Sequence, residues 1–309
     1  GIITDGVHTK AKIANLTPRK LNSYLKDGYI CIVAGFQGET TDGRITTLGR
    51  GGSDLTAIAI ASAIKADLCQ IFTDVDGVYT CDPRIVKNAR KIDEICYDEM
   101  LEMASSGSKV MQSRSVEFAK KFGVVFEVRS SFNDNPGTIV KEETKSMEAV
   151  VVRGVSIEKN QAKVTVRAVP DKPGVAARVF NAVAAANIII DMIVQNVSHD
   201  GTTDLSFTCG RSDLAAARPI LEKIRSEIGA RALEIDETVA KISIVGAGIQ
   251  NAPGYAARMF GTLADAKVNI QMISTSEIRI TCIVSQADAD RSLKALHDAF
   301  DLATPESRH

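Results

Sequence analysis

Two continuous apolar runs of strand length, Ile30–Ala34 and Leu68–Thr73, mark the first half of the chain. Runs of this kind belong to strands buried on both faces of a sheet. Apolar residues recur at helical spacing over 54–65, 97–105 and 108–122, a short helix is predicted from Pro18 to Lys26, and a further strand at Val124–Val128. Strands alternating with helices predict an α/β fold with a largely parallel sheet, whose ligands lie at the carboxyl ends of the strands.

After about residue 144 the pattern changes and then repeats. Residues 162–169 alternate as a strand, and Asp171-Lys-Pro-Gly-Val-Ala-Ala-Arg-Val-Phe180 opens a helix. A second copy begins at Asn251-Ala-Pro-Gly-Tyr-Ala-Ala-Arg-Met-Phe260, with Pro173/Pro253, Arg178/Arg258, Phe180/Phe260 and Met192/Met272 all 80 positions apart. A gapless offset through helix and following strand means a duplicated unit. Each copy continues with strands (188–198 and 203–209; 268–274 and 278–284) and a helix (212–228; 287–300), a βαββαβ ferredoxin-like plan. The predicted domains are 1–143, 144–240 (a linker and the first unit) and 241–309.

The composition narrows the function classes. A chain of 309 residues with 45% hydrophobic and 24% charged content and a formal net charge of −1 has no basic excess for nucleic acid and no bilayer-length apolar run. The six cysteines are scattered without a Cys-x-x-Cys pair, as expected of reduced thiols in the cytoplasm, and the four histidines have no partner at metal-ligand spacing. Gly1–His8 carries no secretion-signal pattern, and the chain reads as one entered midway through a domain.

Three stretches carry candidate chemistry. In Ile45-Thr-Thr-Leu-Gly-Arg-Gly-Gly-Ser-Asp-Leu-Thr56, glycines ahead of a helix aim backbone N–H groups inward, where the helix dipole favours negative charge. Arg50, Ser53 and Asp54 in that turn suit phosphoryl transfer better than plain phosphate binding, since a lone carboxylate repels a phosphate. A P-loop is excluded because Ser53, not Lys, follows Gly52. The simpler alternative is a tight turn with Asp54 capping the helix. The loop Thr73-Asp-Val-Asp-Gly-Val-Tyr-Thr-Cys-Asp-Pro-Arg84 follows a strand; Tyr79 and nearby backbone could hold a base or ribose and Arg84 the phosphates, against an Asp/Gly turn with a solvated Arg. Lys109 starts a helix after Ser106-Gly-Ser, where a cation is disfavoured unless it serves an anion.

With Val33-Ala-Gly-Phe-Gln-Gly38 and Arg129-Ser-Ser-Phe132 added to these stretches, the chain resembles the aspartate kinases of the amino-acid-kinase superfamily, and its duplicated half resembles paired ACT domains. The resemblance implies the C-terminal part of an amino-acid-kinase α/β/α sandwich followed by two α+β ferredoxin-like ACT domains. It also implies ATP-dependent phosphorylation of the β-carboxylate of L-aspartate to 4-phospho-L-aspartate, with Mg²⁺ entering as the ATP complex. By it, Arg50, Gly51, Gly52 and Ser53 hold aspartate, and Asp54 orients the reactants or helps neutralise the moving phosphoryl group. Thr73, Asp74, Tyr79, Thr80, Cys81, Asp82, Pro83, Arg84 and Lys109 serve ATP.

Effector residues carried over by the same resemblance are Asp171, Lys172, Pro173, Gly174, Val175, Ala176, Ile189, Ile190, Asp191 and Gln195 in the first unit. In the second they are Tyr255, Ala256, Asn269, Ile270, Ser276 and Glu277. The implied effectors are L-lysine, L-threonine or both, acting across a homodimer joined through ACT domains. Two departures stand out. The family has Asn where this chain has Ile189; Asn187, two positions earlier, would face the same side by strand alternation without filling that place. The Lys-x-Gly-Gly motif that opens the family's kinase domain is not found, so the chain reads as a fragment, nearly inactive alone. The rival reading is a non-catalytic sensing subunit of an aspartate kinase.

Overall fold

The computed structural model describes residues 1–7, 11–108, 110–142, 152–196, 201–249 and 253–304. In the first half, β1 (Ile2–Thr4), β2 (Ile13–Leu16), β3 (Gln37–Glu39) and β4 (Ile45–Thr47) form a small sheet in the order β2-β1-β3-β4, with α1 (Arg19–Lys26) beside it. A second sheet, β5-β7-β8-β6, comprises β5 (Cys69–Thr73), β6 (Glu94–Cys96), β7 (Phe126–Ser130) and β8 (Thr138–Lys141), with β5–β7 and β6–β8 parallel and β7–β8 antiparallel. Helices α2 (Gly52–Ile64), α3 (Tyr97–Ser105) and α4 (Ser113–Phe122) cover it, and Ile58, Ile71, Ile95, Met100, Val116 and Phe126 share its core.

Three expectations for this half are corrected. The apolar run 30–34 is in no ladder, and Ile30 and Ile32 are 94% and 97% exposed. The run 68–73 is likewise not buried on both faces: Cys69 and Ile71 are inside while Leu68 and Phe72 stand out. Among the described residues β5 is an end strand, hydrogen-bonded to β7 alone, and no strand flanks the 30–34 run. A run of apolar residues specifies a strand only where a neighbour completes its hydrogen bonds. Finally, α4 starts at Ser113 rather than 108, because Gly107 turns left-handed (φ +114°) immediately after α3.

The second half is one six-stranded antiparallel sheet, β10-β11-β9-β12-β14-β13. Its strands are β9 (Gly154–Pro170), β10 (Ile190–Gln195), β11 (Thr202–Gly210), β12 (Ala232–Val245), β13 (Met272–Thr275) and β14 (Arg279–Ser285). Helices α5 (Val175–Ala185) and α6 (Leu214–Ile228) cover the first unit, and α7 (Tyr255–Asp265) and α8 (Ala289–Ala299) the second. The long strands β9 and β12 run through both units. The end of β9 pairs with the start of β12 (Arg167 opposite Ala232), and the start of β9 with the end of β12 (Gly154 opposite Val245). The fourth strand of the second unit is therefore the stretch that precedes the first. The duplication extends to the backbone: Gly174 and Gly254 both open their helices left-handed, and Asn187 and Lys267, 80 apart, have φ of +56° and +57°. Asn187 thus lies in a turn before β10, so strand alternation does not relate it to Ile189, whose side is 80% exposed.

The two halves are bolted together through α3. Glu99 accepts a hydrogen bond from Arg153 Nε at 3.2 Å and from the N–H of Ala247 at 3.1 Å. Glu102 meets Arg279 at 2.8 Å, and Lys241 donates to the Ser105 carbonyl at 3.2 Å while also pairing with Asp191. Gly107 presses onto β9 so closely that a Cβ would lie 2.1 Å from the Ile157 carbonyl oxygen. Gly107→Ala adds that overlap to about 1–3 kcal/mol of backbone strain; calorimetry is expected to register a lower melting temperature, and an unchanged one would refute the close packing.

Candidate active site

The turn between β4 and α2 is fixed from several sides. Gly49 (φ +83°) and Gly51 (φ +70°) are left-handed, and a Cβ on Gly51 would fall 2.1 Å from Gln112 Cγ. Arg114, at the start of α4, donates to the Leu48 carbonyl at 2.9 Å and the Ala11 carbonyl at 2.7 Å. Phe36, itself left-handed, accepts the Leu48 N–H and donates its own to Thr56 Oγ1. The backbone is held, yet the polar side chains of the turn are unspent. Arg50 and Ser53 are exposed, and α2 has no side-chain cap bond. Asp54, half-buried, makes no hydrogen bond or ion pair among the described residues. Burial alone pushes its carboxyl above the usual range. The simple capping alternative is thereby corrected: the turn is tight, but its carboxylate does not cap.

The loop after β5 is divided between an outer and an inner side. Outside lie Thr73, which donates to Asp74 at 3.1 Å, and Tyr79, whose hydroxyl donates to Asp76 at 2.6 Å. Burial, the Asp76 hydrogen bond and that residue's charge push Tyr79 up to about 12. Asp82 accepts from the Arg84 N–H at 2.9 Å and is chelated by its guanidinium, which holds Asp82 low while leaving Arg84 exposed. Pro83 is half-buried between them. Thr80 and Cys81 point inward, 0% and 4% exposed, so their side chains offer a ligand no surface. The loop's entry adjoins the end of β7, through a 2.8 Å bond from the Ser131 N–H to the Thr73 carbonyl. Lys109 lies outside the described residues.

In the first repeat unit, a cleft of about 330 Å³ is lined by Asp171, Lys172, Pro173, Gly174, Val175, Ala176 and Gln195, with Val169, Pro170, Thr203 and Leu205. Left-handed Gly174 starts α5 at this cleft, where the N–H of Val175 is bonded to the Lys172 carbonyl at 3.3 Å and the next first-turn N–H groups have no intrahelical acceptor. Ile189 and Ile190 do not line it, and Asp191 turns to Lys241. In the second unit Tyr255 stacks on Phe300 at 5.9 Å, and Tyr255, Ala256 and Ile270 pack on the core. Asn269, Ser276 and Glu277 are exposed. Sequence reasoning missed Arg114, Glu99, Arg153 and His297; their partners lie far along the chain, and no local pattern marks them. Among the described residues no cluster of His, Cys, Asp or Glu could hold a metal ion, and no helix is long and apolar enough to cross a membrane.

A tight glycine turn ahead of a helix in an α/β half, followed by a duplicated ferredoxin-like unit, defines the class. Residues 2–129 match the amino acid kinase family, and 164–226 and 242–300 each match an ACT domain. An aspartate kinase of Pseudomonas fluorescens is 51% identical over 98% of this chain and 74% of its own length; an aspartokinase of Corynebacterium efficiens is 49% identical over 99% and 74%. The crystal structure of E. coli aspartokinase III in complex with aspartate and ADP (R-state) superposes with a TM-score of 0.81 at 30% identity, over 96% of this chain and 67% of that one. That enzyme's T-state complex with lysine and aspartate gives 0.77 at 31%, over 97% and 67%. The chain belongs to the aspartate kinase family, with an amino-acid-kinase α/β part followed by two ferredoxin-like ACT domains.

Proposed function

We propose that this chain carries the phosphoryl-transfer loops of an enzyme that phosphorylates the β-carboxylate of L-aspartate with ATP, giving 4-phospho-L-aspartate. The observation that carries this is the rigid glycine turn with Arg50, Ser53 and Asp54 left unpartnered. A structural turn has no use for three unspent polar groups, one of them a half-buried carboxylate. Arg50 and Ser53 hold aspartate with the Gly51–Gly52 backbone, and Asp54 orients the reactants. Thr73, Asp74, Tyr79 and Arg84 face the nucleotide, Lys109 is assigned to ATP by the family resemblance, and Asp82 and Pro83 shape the loop that presents Arg84. Mg²⁺ arrives with ATP as substrate; such ions need only one or two protein carboxylates beside the phosphates, which Asp54 fits.

The first-unit cleft, with its helix N-terminus and Asp171, suits the α-carboxylate and α-amino groups of an amino acid, L-lysine or L-threonine. The outer edges of β10 and β13 offer pairing to a second copy. Five buried thiols, with Cys81 and Cys282 pushed up to about 12 by burial, suit the cytoplasm. The test is trapping of acyl phosphate with hydroxylamine, using the chain at its full native length with ATP and L-aspartate, alongside calorimetric titration with each amino acid. Hydroxamate formation and saturable effector binding are expected. Effector binding without hydroxamate would favour the sensing-subunit reading.

A further inference from the structure

The inner side of the 73–84 loop is built into the second ACT domain. Thr80 is fully enclosed and all its polar groups are engaged. Its N–H donates to the Arg90 carbonyl at 2.8 Å, its carbonyl accepts the N–H of Val155 in β9 at 2.7 Å, and its hydroxyl accepts the Arg90 N–H at 3.0 Å. The same hydroxyl lies 3.1 Å from Nε2 of His297, on α8, 217 positions away. Next to it, Cys81 joins the apolar cluster of Met259, Leu263, Leu293 and Leu296. The imidazole of His297 has no exposed surface, and burial holds it below its usual range. Its Nδ1 has no hydrogen-bond partner among the described residues, and the Asp298 carboxylate 3.8 Å away favours a ring proton on that side by its charge. Nε2 is then free to accept the Thr80 hydroxyl proton. The Thr80 hydroxyl, already accepting the Arg90 N–H, has its proton to place, and Nε2 carries the hydrogen bond of the enclosed imidazole, so each fixes the other.

We propose that His297 is a positioning residue for the nucleotide: through Thr80 it fixes the rear of the loop whose outer face presents Tyr79 and Arg84. This rests on the reading of that loop as the ATP site. It gives the second ACT domain a direct hold on that site, because a displacement of α8 by about 0.5 Å already weakens a bond of this length.

The test uses the chain at its full native length, comparing KM for ATP with KM for aspartate. His297→Leu is expected to raise KM for ATP about tenfold, the scale of one lost buried hydrogen bond, and to leave KM for aspartate unchanged. Thr80→Val, which replaces the hydroxyl by an isosteric methyl and keeps the packing should His297→Leu fail to fold, should do the same. The double variant should be no worse than either alone, and Thr80→Ser should restore the original KM. A fall in melting temperature with both KM values unchanged, or equal rises in both, would overturn the proposal. Arg84→Ala separates the two levels. If it raises KM for ATP while the His297 and Thr80 variants do not, the coupling alone falls; if none of them does, the loop reading has failed and the inference with it.

Discussion

Glu99→Ala is expected to destabilise the junction between the kinase part and the second ACT domain by about 3–5 kcal/mol, the scale for removing one member of a buried ion pair. The side chains of Arg153 and Glu99 are 0% and 1% exposed, so water cannot replace the lost carboxylate. The same carboxylate also receives the Ala247 N–H and, at 3.5 Å, the N–H of Cys96, closing the capping box of α3. Alanine is a good helix former, so beyond that cap the loss would come from the junction rather than from α3. Exposed pairs such as Lys120–Asp98 should matter far less. The chain has no Trp, which makes scanning calorimetry the appropriate measurement. The variant should melt in two steps, where the parent's two parts melt together. Replacing both partners, by Glu99→Leu with Arg153→Met, should recover much of the loss, since an apolar pair leaves no charge buried. A double variant as unstable as Glu99→Ala would mean that Arg153 or Glu99 matters through other contacts.

What the sequence disclosed divides along the range of the interactions. Helices α1, α2 and α3 and the duplicated units were legible because each is written in local period or in a repeat. The spacing of 80 between Pro173 and Pro253 even implies the shared left-handed turns at Asn187 and Lys267. The strand exchange in β9 was not. The pattern predicts a strand over 162–169 only, whereas 154–161 pairs with a strand beyond an entire intervening unit. The run 30–34 failed in the opposite sense, its apolar character being local and its missing neighbour not. The candidate site shows the same division. Gly51 and Asp54 were visible as a motif, but Thr80 changes from a ligand candidate to an internal strut because of His297, and no sequence spacing joins those two residues.

Asp54→Asn is expected to lower kcat by about 10²–10³-fold, the scale for deleting one preorganised electrostatic group at a reacting centre, with KM for ATP little changed. The side chain keeps its size, and the turn survives because Gly51, Gly52 and Arg114 hold it rather than Asp54. Its carboxyl is raised above its usual value by burial, with no cation among the described residues to offset it. The sign follows from that direction. The folded protein retains this proton to a higher pH than the unfolded chain, so ionised Asp54 opposes folding at neutral pH, and removing the charge should raise the melting temperature. On the proposed role catalysis runs the other way, the ionised form being the one that would act: kcat/KM should then fall as the pH drops through the raised value, and the residual activity of Asp54→Asn should lack that acid limb. A variant that is more stable and nearly inactive, with a flattened acid profile, identifies a carboxylate kept for chemistry against the interest of the fold. Lower stability together with unaltered kcat would instead assign Asp54 to the turn and remove it from the active site.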